Sequence, residues 1–301
     1  MENKGILIVN KPQDFTSFDV VAKLRRLAGT RRIGHGGTLD PMATGVLPVF
    51  IGGATRAADF AASQDKEYVA GFQLGVITDT QDSTGTVLSQ KEKKVDKQAV
   101  KQALADFVGE IQQLPPMYSA IQIGGKRLYE LARKGKEIER PRRTITISKM
   151  ELLDFSEESQ TGFFRVVCSK GTYVRTLCHD LGEALGTGGM MTALQRTRAG
   201  IYDLQQAYTL TEIEEAAEAG TFARLLIPVD SLFGRYPAVE LDDYGRERAF
   251  HGAFITAEHT DREIPEEGSI ARFYHQGEFI MLGQCKRLDR GDLAWFTYKK
   301  F

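Results

Sequence analysis

The residues best suited to chemistry lie in GHGGTLDPMATG, residues 34–45. Four glycines in these twelve residues permit positive φ angles and close approach of the backbone to a ligand. Asp40 precedes Pro41, which biases the aspartate towards extended geometry and stiffens the turn after it. A carboxylate displayed on such a loop suits a nucleophile or a general base; the alternative is an aspartate that only starts a turn. The glycines match neither G-x-x-x-x-G-K-[ST] nor G-x-G-x-x-G, which argues against a nucleotide phosphate loop. A second candidate stretch is CSKGTYVRT, residues 168–176. Its helical stripe begins at Val174, so Tyr173 and Arg175 flank the buried face at the first turn. Arg175 can pair with a carboxylate from another segment, or it contacts phosphate or solvent. Tyr68 lies in a strand-like run, DKEYVAGF, where it is either a site residue or a half-buried core aromatic.

These residues need elements to hold them. GILIVN (5–10) is an apolar strand closed by Lys11-Pro12. Ser17 caps a helix running to about Ala28, with Val20, Val21, Leu24 and Leu27 on one face. VLPVFI (46–51) is a buried strand, 54–62 a helix, and 67–77 a long strand closed by DTQDSTG. A helix follows at 96–108, with Val100, Leu104, Phe107 and Val108 on one side, and a basic helix at about 126–134. Segments 144–155 and 162–169 pair around a polar turn, 172–186 is a helix, and 211–219 an acidic helix. Long strands mixed with separated helices predict an α+β fold around a mixed, largely antiparallel sheet. After about residue 235 the texture changes to short β-like runs, FITA, SIARFYH, EFIMLGQC and AWFTYKK. The expected domains are therefore 1–235 and a small β-rich 236–301.

The chain has 301 residues and a formal net charge of −1, but the charge is uneven. Residues 1–60 carry +3, 121–150 carry +6 and 165–200 carry +3. Brought together, these stretches make a positive face for a polyanion; kept apart, they are solvated surfaces. Lys126, Arg127, Arg142 and Arg143 are the candidate phosphate contacts. Three cysteines without a C-x-x-C pair, and five scattered histidines, fit no disulfide framework or zinc site. No apolar run reaches the length of a membrane span, and the N-terminus does not read as a signal peptide. A cytoplasmic, metal-free protein is expected.

GHGGTLDPMATG resembles the catalytic motif of the TruB family, the tRNA pseudouridine-55 synthases. Further similar segments occur in order: GILIVNKP at 5–12, DKEYVAGFQLG at 65–75, PPMYSAIQIGGKRLYELARKG at 115–135, CSKGTYVRTLCHDLGEALG at 168–186 and LQRTRAG at 194–200. One departure is Gly36, where the family commonly has threonine after the histidine. The resemblance implies that Asp40 is the essential carboxylate, Tyr68 stacks on the target base and Arg175 pairs with Asp40. It implies that Lys11 and Pro12 support the site wall, and that Tyr173 and Leu194 line the pocket. His35 would fill or contact the space left by a flipped nucleotide. The implied partner is the T-arm of tRNA, the tail resembles a PUA-type RNA-binding domain, and a monomer is expected.

The implied reaction breaks N1–C1′ and makes C5–C1′, with no redox change, so no cofactor is expected. A uridine inside a stacked loop must be flipped out to react. A cation within about 4–6 Å lowers a carboxylate pKa by roughly 1–3 units, so Arg175 is expected to hold Asp40 ionised. The carboxylate can then attack C1′ or C6, or deprotonate the sugar. A non-catalytic RNA-binding or folding module would use the same basic face. It needs no carboxylate aimed at RNA, where it would repel phosphate. A base-exchanging transglycosylase would need a free-base co-substrate.

Overall fold

The computed structural model describes residues 4–301. In chain order come β1 (Gly5–Lys11), α1 (Ser17–Leu27), β2 (Ile33–His35), β3 (Thr44–Ile51), α2 (Ala58–Ala62), β4 (Lys66–Leu74), β5 (Val76–Thr78) and β6 (Val87–Gln90). Next are α3 (Lys97–Ala105), β7 (Gly109–Gln113), β8 (Gln122–Ile123), β9 (Lys126–Arg127), α4 (Leu128–Ala132), β10 (Arg143–Ser156) and β11 (Thr161–Cys168). Then come α5 (Val174–Ala184), β12 (Gly189–Ala199), β13 (Tyr202–Asp203) and α6 (Leu210–Glu218). The tail holds β14 (Ala238–Glu240), α7 (Asp243–His251), β15 (Ile270–His275), β16 (Glu278–Arg287) and β17 (Leu293–Lys300).

The main sheet runs β1-β3-β12-β4-β11-β10-β7, with β2 on β3 and β13 on β12. Only β3 and β12 pair in parallel within it; the other ladders are antiparallel. Both β1 and β3 read as unbroken apolar runs because both of their faces are covered. Leu7, Val9, Leu47, Val49 and Ile51 face the core shared with α1, α3 and α5. Ile6, Ile8, Val46 and Phe50 face the opposite way, into a second core. That second core contains Leu282 of β16, fully buried, with Phe279 and Phe301 packed against it. Phe233 joins the two parts, its ring 5.1 Å from both Phe60 and Phe301. The sheet β14-β15-β16-β17 also has a core of its own, around Phe273, Met281 and Trp295.

Several local expectations change. The cap of α1 is Thr16, whose hydroxyl accepts from the Asp19 amide in a reciprocal capping box. Ser17 is released for another task, described below. The strand expected over 67–77 ends at Leu74: Gly75, with φ 88°, sends the chain into the separate β5–β6 hairpin. The first half of 54–62 is a 3₁₀ turn. Val108 lies past the end of α3 and is exposed. The basic helix is short, preceded by the β8–β9 hairpin. The tail holds α7, capped by Asp242 and closed by left-handed Gly252, where only strands were expected. Its polar sequence carries no clear apolar stripe, so its helical period left no signal.

Candidate active site

The loop that carries Asp40 leaves β2 and enters β3. Gly36 has no room for a side chain: a Cβ there would meet the Ala61 methyl at 2.9 Å and the Phe50 ring at 3.1 Å. Gly45, at φ 101°, lets the backbone lie against Arg196, whose carbonyl would be 2.2 Å from a Cβ. Ser17 ties the loop to α1, its Oγ accepting from the Leu39 amide at 2.9 Å. The Pro41 carbonyl accepts from the Asp14 amide at 2.9 Å and from Lys11 Nζ at 3.2 Å. Lys11 is fully buried and also donates to the carbonyls of Pro12 and Phe15. Burial brings its pKa down to about 8, against the pull of Asp14 and Asp40.

Arg175, in the first turn of α5, donates from Nη2 to Asp40 Oδ2 at 2.6 Å. Its Nη1 lies 3.7 Å from Asp82 Oδ2, so one guanidinium serves two carboxylates. Asp82 is buried, and its Oδ1 accepts from Thr80 Oγ1, Thr84 Oγ1 and the Thr84 amide at 2.8, 2.6 and 3.0 Å. The start of α5 is pinned by Gln113, whose amide accepts from Tyr173 N at 2.8 Å and donates to Tyr173 O at 3.0 Å. Neither Asp82 nor Gln113 stood out in the sequence. Asp82 lies in DTQDSTG, which reads as an ordinary turn, and Gln113 in a polar edge strand.

The electrostatics correct one expectation. Burial pushes the Asp40 carboxyl above its ordinary value, Arg175 opposes that rise, and the charge of Asp82 adds to it. The penalty for stripping water from the carboxylate outweighs its ion pair. The side chain is still 36% exposed to the cleft, so water relieves part of the penalty until a ligand fills the space. Tyr68, on β4, is raised by burial, with Arg196 acting against the shift. Tyr173 is raised by burial as well.

These groups surround a cleft of about 650 Å³. Of the residues expected at the site, Asp40, Tyr68, Tyr173, Arg175 and Leu194 line it. Lys11 and Pro12 lie outside its lining, Lys11 acting beneath the loop. His35 sits on β2, outside the lining, its Nδ1 accepting from the Gly37 amide at 3.4 Å. Burial, aided by Arg196, lowers its pKa from 6.5, so the ring is neutral at neutral pH. Lys126, Arg127, Arg142 and Arg143 are exposed and do not reach the cleft lining. Arg142 donates to the Gln112 carbonyl at 3.1 Å. From the same basic stretch, Arg133 does reach the wall, with its guanidinium 5.4 Å from the Tyr129 ring. Lys66 and Arg196, both buried, also line the cleft. Among the described residues no His, Cys, Asp and Glu cluster could hold a metal ion.

The family model described as TruB family pseudouridylate synthase (N terminal domain) matches residues 25–174, and that of the tRNA pseudouridylate synthase B C-terminal domain matches residues 175–234. The junction of the two falls between Val174 and Arg175, inside the site. A protein named tRNA pseudouridine synthase B from Lactiplantibacillus plantarum is 42% identical over 285 residues, covering 92% of this chain and 93% of its own. One of the same name from Dehalococcoides mccartyi is 42% identical over 298 residues, 99% of this chain and 96% of its own. A chain from an H/ACA RNP bound to a substrate RNA containing 2′-deoxyuridine superposes with TM-score 0.75 at 25% identity, covering 100% of this chain and 86% of that one. A Cbf5-Nop10-Gar1 complex contains another at TM-score 0.74 and 26% identity, with 99% and 85% covered. This chain belongs to the TruB family of pseudouridylate synthases.

Proposed function

We propose that this enzyme isomerises the T-loop uridine at position 55 of tRNA to pseudouridine, with Asp40 as the catalytic carboxylate. The observation that carries this reading is the Asp40–Arg175 pair, 2.6 Å apart at the wall of a cleft large enough for one extruded nucleotide. The uridine leaves its stack at a cost of a few kcal/mol and enters the cleft. Tyr68 and Leu194 offer an aromatic and an aliphatic surface to the base. Asp40 acts on the glycosidic carbon, on C6, or on a sugar proton. N1–C1′ breaks, the uracil turns within the cleft, and C5–C1′ forms. The proton on C5 then departs and N1 gains one, so the atoms balance and no electrons are exchanged. A carboxyl raised by burial is suited to accept a proton and return it.

Exposed Lys126, Arg127, Arg142 and Arg143, with Arg133 and Tyr129, supply cations and an aromatic beside the cleft mouth for RNA. His35 supports the extruded state from behind the loop. Residues 236–301 form an RNA-binding domain, and the enzyme works as a cytoplasmic monomer. The test is incubation with unmodified tRNA carrying tritium at uridine C5. Wild type releases tritium and forms pseudouridine at one position. Asp40→Asn keeps the size of the side chain and loses both nucleophile and base. It should bind tRNA within about tenfold of wild type, a difference of 1.4 kcal/mol. Tritium release by the folded variant at more than about one-tenth of the wild-type rate would remove Asp40 from the chemistry.

A further inference from the structure

Arg196 is almost fully buried, at 1% exposure, and its guanidinium is held by backbone rather than by acid. Nε donates to the Val46 carbonyl at 2.6 Å, Nη2 to Gly37 at 3.2 Å and Nη1 to Thr38 at 3.5 Å. No carboxylate of the described residues forms an ion pair with it; the neighbouring Arg175 and Arg198 take Asp40, Asp82 and Glu67 instead. A cation buried without counter-charge is costly, and a methionine would fill the same space without that penalty. What the charge and planar fork of an arginine do here is hold three carbonyls at once.

The task follows from its position. On β12, Arg196 sits opposite Tyr68 of β4 in the antiparallel ladder and opposite Gly45 of β3 in the parallel one. Its acceptors lie on both sides of Asp40 in sequence: Gly37 and Thr38 before it, Val46 after it. One side chain thus closes the base of the loop from within the strand that separates the loop from Tyr68. Lysine offers a single compact ammonium and cannot span the two ends in this way.

We propose that Arg196 is a positioning residue that sets the Asp40 loop and Tyr68 in fixed relation, an inference that rests on reading the cleft as the synthase active site. It works through the loop carbonyls and leaves bond making to Asp40.

The test compares full-length wild type, Arg196→Met and Arg196→Lys for melting temperature, tRNA affinity and single-turnover tritium release. A misplacement of about 1 Å can cost roughly 100-fold in rate. Both folded variants should bind tRNA within about threefold of wild type and turn over about 100-fold more slowly, with lysine recovering less than about tenfold of that loss. A plain packing role would be met by methionine, and a plain charge role by lysine. The proposal fails if either folded variant keeps more than about one-third of the wild-type rate, or if the loss lies in affinity. Should Arg196→Met not fold, Arg196→Lys decides alone by the same criterion. A wild type that makes no pseudouridine overturns the synthase reading and this inference together, whereas active wild type with unimpaired variants overturns this inference only.

Discussion

Replacing Arg175 with methionine takes the one shared cation from Asp40 and Asp82 while filling much the same volume. Removing one partner of a buried ion pair costs about 3–5 kcal/mol, because a charge is left uncompensated. Asp40 remains 36% exposed on its side chain, so water screens part of that cost. About half of it, roughly 1.5–2.5 kcal/mol, remains against the ionised carboxylate. At neutral pH this lowers the single-turnover rate by roughly tenfold to 70-fold. The pH dependence gives the sharper check. Burial already raises the Asp40 carboxyl, and Arg175 is the main group opposing that rise. Without the arginine the carboxyl titrates higher, so the acid limb of the rate profile moves up in pH and the loss shrinks as pH increases. Asp82→Asn removes a like charge and moves the limb down, while its Oδ1 can still accept from Thr80 and Thr84. Stability has the matching sign. Asp40 holds its proton more tightly folded than unfolded, so its contribution to folding stability falls as pH rises from the unfolded pKa through the folded one. The assay is tritium release from C5-labelled tRNA under single-turnover conditions over a pH series. A rate within about threefold of wild type at neutral pH, or a loss of the same size at every pH, would refute the electrostatic argument.

Other outcomes follow from the same geometry. Neutralising Lys126, Arg127, Arg142 and Arg143 together should flatten the dependence of log Kd on log salt, since each phosphate contact contributes about 0.7–0.9 to the slope; an unchanged slope assigns RNA binding to another face. His35→Ala should slow turnover without abolishing it, because the ring lies behind the loop and off the cleft lining. A rate as low as that of Asp40→Asn would make it an acid or base. Leu282→Ala should lower stability by about 2–5 kcal/mol in urea unfolding, because it empties a fully buried site between β16 and β1–β3. A loss below about 0.5 kcal/mol would show that this seam is not tightly packed. Cutting the chain at residue 235 would uncover Phe60 and Phe233, which pack on Phe279, Tyr298 and Phe301, so a truncated 1–235 should aggregate in light scattering; a soluble monomer would show that this seam is dispensable.

What the sequence determined by itself was local or ordered along the chain. Asp40 before a proline in a glycine-rich loop, the two-sided apolar runs of β1 and β3, and the first turn holding Tyr173 and Arg175 were legible because each signal spans a few residues. The order of six motifs, in the same way, identified the family. Tertiary structure decided the rest. Asp40 and Arg175 are 135 residues apart, and nothing in either segment indicates that Asp82 would share the arginine. The direction of the Asp40 shift depends on desolvation against pairing, and desolvation is a property of the assembled cleft. Lys11 was expected to support the site wall, and only the fold shows the contacts it makes, with its ammonium under the loop on the carbonyls of Pro12, Phe15 and Pro41. Nothing in LQRTRAG singles out Arg196. Only the meeting of β3, β12 and β4 buries it, since burial depends on what packs against a residue and not on its neighbours in sequence.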